Sequence, residues 1–419
     1  MYRECINDSM WKHANLYTVG YCFDIFEENN NISISISVYV KFLTWMVIFY
    51  TLFVEHVYSL VNINQNEEGM PTLAILTSGG DAPGMNAAIV AITKTALSEN
   101  WSVWGIQDGY DGLIDGKIVE LFHQDVDDLG REGGTFLRSA RSDRFRSKEG
   151  RDKAADNLRG CDALIVIGGN GSLTGAHVFG KEQGVRVIGI PASIDNDLAC
   201  TSLCIGVDTA VNSIVEACDK ISDTARSHRR AFIVEVMGRE CGYLAMSSAI
   251  ACFADAVIFR EQGKTEQQLI AELREVIRHA YSSVRNKKRV LIIKAEGVEV
   301  STASLAEKLE QTMKEETNGA TLRYTVLGHV VRGGRPSAMD RIIASRLGFC
   351  AAQIAIQGED QKMVGWRPDE QGIPLSDARV QMFDLAYVLE GTKHLLDGDH
   401  PTTQQRLAMI ARVQDILLL

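Results

Sequence analysis

The stretch that decides the fold is Thr72-Leu73-Ala74-Ile75-Leu76-Thr77-Ser78-Gly79-Gly80-Asp81-Ala82-Pro83-Gly84-Met85-Asn86. Thr72 to Leu76 is a short apolar run and reads as a buried strand. A glycine-rich turn follows, and the apolar spacing from Ala87 to about Leu97 predicts a helix. A strand, a glycine turn and a helix N-terminus together form an anion cradle, because unpaired backbone N–H groups and the helix dipole face one point. The turn is neither G-x-G-x-x-G nor a Walker A loop, for no Gly-Lys-Ser/Thr follows. Taken alone, the stretch fits a phosphate cradle and a tight structural turn equally well.

The same unit recurs further along. Trp101 to Ile106 is strand-like and ends at Asp108-Gly109-Tyr110-Asp111-Gly112. The glycine turn Gly133-Gly134 then leads to Arg138 and Arg141, with Arg144 and Arg146 beyond. Guanidinium forks suit phosphate oxygens, although a solvated basic loop has the same composition. Ala163 to Ile167 is another buried strand, ending in Gly168-Gly169-Asn170-Gly171-Ser172 before a helix. Val185 to Ile190 leads into Pro191-Ala192-Ser193-Ile194-Asp195-Asn196-Asp197, a loop with one hydroxyl and two carboxylates. A carboxylate at a strand's C-terminal end is placed to take a proton from a bound alcohol, and an Asx-rich turn would also stop the strand there. Repeated strand–loop–helix units imply a mostly parallel sheet with helices on both faces and ligands at the strands' C-terminal ends.

A second unit follows. Val207 to about Arg226 is helical, with Ala210, Val211, Ile214, Val215, Cys218 and Ile221 on one core-facing stripe. Ser227-His228-Arg229-Arg230 introduces the strand Ala231 to Val236, which ends at Met237-Gly238-Arg239. A helix near Gln267 to Val284, a strand Arg289 to Lys294 ending at Glu296-Gly297 and a helix near Ser304 to Glu316 come next. Arg323 to Leu327 is a strand ending at Gly328-His329-Val330-Val331-Arg332-Gly333-Gly334, and a helix runs from about Ala338 to Gln357.

Composition sets outer bounds. A chain of 419 residues, 46% hydrophobic and 23% charged, can bury a full core and suits two globular units. A formal net charge of −11 argues against nucleic acid as the main partner, without excluding anionic substrates held by local arginines. The nine cysteines show no C-x-x-C pair or zinc-ligand spacing, so reduced, mostly buried thiols are expected. Residues 1 to 69 differ in character, being rich in Asn, Ile, Ser and aromatics. Phe42 to Val54 carries no charge but falls short of the roughly 20 apolar residues a spanning helix needs. Lengthening it over residues 32–63 takes in Lys41, Glu55 and His56, which leaves signal anchor and interfacial helix as alternatives. Met70 directly precedes the first strand, so the favoured expectation is an appended or spurious leader.

The set Thr77 to Asn86, Pro191 to Asp197, Val236-Met237-Gly238-Arg239 and Gly328 to Gly334, in this order, resembles the ATP-dependent 6-phosphofructokinase family of the bacterial type, with a single pair of domains, over residues 71 to about 360. The resemblance implies an α/β fold of two Rossmann-like three-layer domains with mostly parallel sheets and the active site in the cleft between them. It divides the chain into a nucleotide-binding domain, 70–206 plus about 331–383, and a sugar-phosphate-binding domain, 207–330 plus about 384–419. The implied reaction transfers the γ-phosphoryl group of MgATP to the 1-hydroxyl of fructose 6-phosphate in glycolysis, with Mg²⁺ as the metal, in the cytoplasm. Asp195 is then the base, and Ser193 stands where the family usually has Thr. Gly79, Tyr110, Arg141, Arg146, Gly171, Ser172 and Gly175 fall on the nucleotide side, Arg141 also steadying the moving group. Met237, Gly238, Arg239, Glu296, His329 and Arg332 fall on the sugar-phosphate side, with Arg239 among the catalytic groups. Arg230 and Arg323 match arginines that family members share across a subunit interface, implying a homo-oligomer, typically a tetramer.

The departures matter as much as the matches. Pyrophosphate users of the family carry Asp directly after Gly-Gly-Asp and Lys after the proline of the Asp loop; Gly171 and Ala192 stand there instead, which points to ATP. Asn170 replaces the Asp that, with Asp197, helps hold Mg²⁺; it keeps an oxygen but loses a charge, which weakens the metal hold. A pyrophosphate-dependent or other sugar-phosphate kinase and a weakly active regulatory subunit are the alternatives, the latter resting on Asn170 alone. Val90, Lys94, His123 and Ser222 occupy positions where the bacterial type has effector-binding arginines, so weak or absent activation by ADP is expected.

Overall fold

Strand β1 (Thr72–Ser78) is buried at all seven positions, as its unbroken apolar run requires of a strand covered on both faces. The computed structural model describes residues 70–313, 320–368 and 371–417; the apolar stretch 32–63, Cys5 and Cys22 lie outside them. The first half continues through helix α1 (Met85–Ser98), β2 (Ser102–Ile106), β3 (Ile118–Glu120), α2 (Lys148–Asn157), β4 (Ala163–Gly168), α3 (Asn170–Gln183) and β5 (Val187–Pro191). The second half runs α4 (Val207–His228), β6 (Arg230–Val236), α5 (Tyr243–Ala251), β7 (Ala256–Ile258), α6 (Glu266–Tyr281), β8 (Val290–Ala295), α7 (Thr302–Met313), β9 (Thr321–Val326) and α8 (Ala338–Ile356). The chain then returns through β10 (Lys362–Trp366), β11 (Ile373–Pro374), β12 (Val380–Asp384), α9 (Leu385–Asp397) and α10 (Pro401–Leu417).

Two sheets result. The larger has the order β11-β12-β10-β5-β4-β1-β2-β3, and the smaller β7-β8-β6-β9. The pairings β1–β2, β1–β4, β4–β5 and β5–β10 are parallel, as is every pairing in the small sheet. Parallel neighbours point their C-terminal ends the same way, so the loops after β1, β4 and β5 share one edge, and those after β6, β8 and β9 share another. Residues from Met70 onward cluster as one contact unit.

Local chemistry explains individual elements. Thr265 caps α6 by accepting from the Gln268 backbone N–H at 3.3 Å, while Gln268 Oε1 accepts from the Thr265 N–H at 2.9 Å. The helix ends at Tyr281, three residues before the expected Val284, where Ser282 turns extended and its hydroxyl takes the Arg285 N–H. The turn after β2, expected as a loop, winds into the short helix Gly109–Ile114. Helix α4 is tied from outside: buried Asp340, on α8, accepts the backbone N–H groups of Gly206 at 2.9 Å and Thr209 at 2.8 Å. It thereby satisfies donors that the first turn cannot pair internally. The seven cysteines among the described residues are free thiols, six of them buried. Among the described residues no helix is long and apolar enough to cross a membrane.

Candidate active site

The Asp loop is built by side chains closing on backbone. Ala192 still bridges in parallel to Ile205 as β5 ends, and Ser193 to Asn196 makes a turn with an N–H···O bond of 3.3 Å. Asn196 takes a left-handed φ of 50°, a conformation Asn tolerates better than most residues. Its amide holds it there, donating to Ser202 O at 3.0 Å and accepting from Cys204 N at 2.9 Å. The kink sends Asp195 inward, 3% exposed, while Asp197 Oδ1 accepts from the Ser193 hydroxyl at 2.8 Å.

Asp195 is the chemically unusual group. Its Oδ2 lies 3.6 Å from Arg239 Nε, and its buried Oδ1 has no protein partner. Burial pushes its pKa up to about 6, reinforced by Asp197 and opposed by Arg332 and Arg239. A buried carboxylate with one free oxygen and a pKa near neutrality is suited to accept a proton from a ligand hydroxyl.

The other loops of the small sheet turn toward the same carboxylate. Gly238 and Arg239 both have positive φ, 147° and 48°, and both donate their backbone N–H to Glu296 Oε1, at 3.1 and 2.7 Å. That oxygen of Glu296 therefore shapes the turn that presents Arg239. Met237 is buried at the end of the strand. After β9 the chain winds into the 3₁₀ segment Gly328–Arg332, leaving His329 exposed and Arg332 only 8% exposed. Arg332 Nη1 donates to Asp81 O at 3.2 Å, linking the loop after β9 to the loop after β1. Gly80 makes room for it, since a Cβ there would stand 2.7 Å from Arg332 Nη1.

On the large sheet, Ser139 Oγ donates to Gly79 O at 2.8 Å, and Thr77 Oγ1 donates to Arg138 O at 2.7 Å, binding the glycine turn to the segment after Gly134. Asn170 and Gly171 open α3, with Ser172 buried behind them, and a Cβ on Gly171 would meet nothing within 4 Å. A helix N-terminus with open space above it is a ready anion site. Tyr110 behaves differently from the expectation of a nucleotide contact. It is buried, stacked on Phe145 at 3.9 Å, and its hydroxyl donates to Ser172 O at 2.7 Å, beneath α3 and beside Gly175. Arg141 is exposed, and Arg146 is exposed beside Asp143 at 3.6 Å. Arg230 starts β6, and Arg323 lies on β9, a sheet edge, 3.6 Å from Glu310.

Asn86 closes the glycine-turn motif, but the sequence reading gave it no role. Buried in α1, it donates to Glu132 O at 3.1 Å and accepts from Phe136 N at 2.6 Å, fixing the arginine-bearing segment. An amide inside an otherwise apolar helical stretch was the available signal. Among the described residues no group of three or more His, Cys, Asp or Glu side chains is arranged to hold a metal ion. The oxygens expected at the metal are those of Asp197, one of which accepts from the Ser193 hydroxyl, and the Asn170 amide oxygen, which accepts from Thr174 Oγ1 at 3.4 Å. They suit an ion that arrives with phosphates, because Mg²⁺ usually takes one or two protein oxygens and completes its shell with substrate and water.

Known proteins show which family the chain belongs to. The phosphofructokinase (PFK) family profile matches residues 72–355. The chain is 46% identical to the ATP-dependent 6-phosphofructokinase of Clostridium acetobutylicum, over 71% of this chain and 89% of that protein. It is 44% identical to the protein of the same name from Thermotoga neapolitana, over 78% of this chain and all of that one. The solved phosphofructokinase of Saccharomyces cerevisiae superposes with a TM-score of 0.72 at 31% identity, covering 81% of this chain and 50% of the yeast chain, so the chain spans about half that length. The two mostly parallel sheets, the buried Asp loop and these matches have one meaning: the chain belongs to the phosphofructokinase family.

Proposed function

We propose that the chain transfers the γ-phosphoryl group of ATP to the 1-hydroxyl of fructose 6-phosphate, giving fructose 1,6-bisphosphate and ADP. The observation that carries the mechanism is the buried, half-unpaired carboxylate of Asp195. Its free Oδ1 accepts the sugar hydroxyl proton as the oxygen attacks phosphorus, and Arg239 beside Oδ2 keeps the carboxylate ionised. Phosphoryl transfer otherwise depends on positioning and on neutralising the equatorial oxygens. The backbone N–H groups after Gly79 and at the start of α3, together with Arg141 and Arg146, supply that on the nucleotide side. Met237, Gly238, Arg239, Glu296, His329 and Arg332 form the sugar-phosphate side. Asn170 and Asp197 would hold Mg²⁺, which when bound screens the phosphate charge. The space above Gly171 favours a nucleotide over the pyrophosphate alternative.

The same reading divides the chain into a nucleotide half, 70–206 with about 331–383, and a sugar-phosphate half, 207–330 with about 384–419. It extends to a cytoplasmic homotetramer sharing Arg230 and Arg323 between subunits. The test is a coupled assay of fructose 6-phosphate with ATP or pyrophosphate, on wild type and Asp195→Ser. ATP alone should support turnover, and Asp195→Ser should lower kcat by about 10²–10⁴-fold with the sugar KM little changed. Wild-type kcat in that variant would remove Asp195 from its role.

A further inference from the structure

We propose that Arg406, on the C-terminal helix, is a positioning residue that clamps the Asp195 loop to the turn carrying Arg239. Arg406 lies beyond residues 72–355, which the family profile spans. Its Nη1 points at two groups, Asn196 O at 3.4 Å and Cys241 Sγ at 3.7 Å, and its guanidinium covers the Tyr243 ring at 4.7 Å. Cys241 Sγ also points at Asn196 O, at 3.9 Å. Two side chains thus converge on the peptide that joins Asn196 to Asp197, and Tyr243 backs one of them.

The two partners belong to different sheets. Asn196 follows β5 in the large sheet; Cys241 and Tyr243 follow β6 in the small one. Cys241 is itself fixed to the Arg239 turn, donating its N–H to Gly238 O at 2.8 Å. One guanidinium therefore spans the two segments whose separation sets the Asp195–Arg239 distance of 3.6 Å. A second tie from the same C-terminal region reaches the loop's far side, where Thr392 Oγ1 on α9 accepts the Ala199 N–H at 3.1 Å. Arg suits the task, because a planar guanidinium can stack on a ring and still donate in its plane. Arg406 bonds a main-chain carbonyl rather than Asp195 itself, so it governs where the carboxylate sits.

This inference rests on the reading of Asp195 as the base, and misplacing such a group by about 1 Å costs on the order of 10²-fold. The experiment compares wild type, Arg406→Met, Arg406→Lys and Asp195→Ser for kcat, both KM values and melting temperature. Arg406→Met keeps the aliphatic stem; its kcat should fall tenfold or more with both KM values within about twofold. Arg406→Lys, retaining a donor and a charge over the ring, should recover part of the loss. A kcat within twofold of wild type in Arg406→Met, or a change confined to KM, overturns the proposal. If Arg406→Met does not fold, Arg406→Lys decides: lowered kcat at wild-type melting temperature supports the clamp, and wild-type kcat overturns it. Full turnover in Asp195→Ser would instead overturn the assignment of the base.

Discussion

At Asp195, one burial has opposite consequences for catalysis and stability. The folded carboxyl holds its proton up to about pH 6, against an ordinary 3.8. A carboxyl raised in this way contributes stability below pH 4 and loses it as pH climbs through 6. The shift of about two units corresponds to about 3 kcal/mol of penalty at pH 7 and above. Asp195→Asn should therefore be more stable than wild type at pH 8, by up to about 3 kcal/mol, and nearly equal to it at pH 4. Denaturant unfolding at the two pH values checks this, and equal stability at pH 8 would contradict it. If Asp195 is the proposed base, the variant that loses activity is the more stable one, a trade common at functional sites.

Among the elements, β6 and β8 form the pair that presents Arg239 and Glu296, and they are joined beneath the site by charge. Lys294 is 1% exposed, donates to Glu235 Oε2 at 3.0 Å, and faces it across the parallel register; Thr302 also donates to that oxygen. Removing one partner of a buried pair usually costs about 3–5 kcal/mol, since the other charge is left uncompensated. Because Glu235 is 18% exposed and keeps Thr302 as a donor, Lys294→Met should lose less than that, about 1–3 kcal/mol, in chemical denaturation, and replacing both partners by apolar residues should recover most of it. An unchanged unfolding midpoint in Lys294→Met would show that the pair does not brace these strands. Neither residue stood out in the sequence, because a Lys inside an apolar strand reads as an exposed position. The strands themselves were legible, since runs such as Ala163 to Ile167 and Ala231 to Val236 follow from apolar continuity alone. Helix α5 and strand β7 were missed, the first because small residues such as Ala245, Ser247, Ser248 and Ala249 give no apolar stripe. The resemblance assigned residues 331–383 to the nucleotide half, but the individual strands β10 and β12 and the last two helices were not read, because β10 pairs with β5 and β12 with β10 over long range and leave no local pattern. Tyr110 shows a limit of a different kind. It was expected at the nucleotide from its place in the motif, and its side chain packs into the core with its hydroxyl on Ser172 O.

For the whole molecule, the proposed sharing of sites between subunits is the feature a single chain leaves open to experiment. Arg323 lies on the edge strand β9, half-exposed, beside exposed Tyr324 and Val326. A row of unpaired backbone groups with apolar side chains is a surface that another chain can cover. Arg323→Ser should raise the KM for the sugar phosphate about tenfold or more while leaving kcat close to wild type, the pattern of a lost charge-assisted contact made equally in ground and transition states. Steady-state kinetics over a wide sugar range checks it, and an unchanged KM would argue against a shared site.

The contact of Arg332 with the loop after β1 constrains how this sequence can vary. Gly80 lacks a side chain where the guanidinium of Arg332 lies, and Arg332 bonds to the carbonyl of Asp81, 251 residues away in the chain. The mutational freedom of each is therefore conditional on the other. A larger residue at 80 would push the flexible end of Arg332 aside and off the Asp81 carbonyl, and shrinking 332 removes a positive charge near Asp195. A substitution at 80 is therefore felt first as a displaced Arg332 guanidinium, and its effect should be smaller in a background where 332 is already shortened.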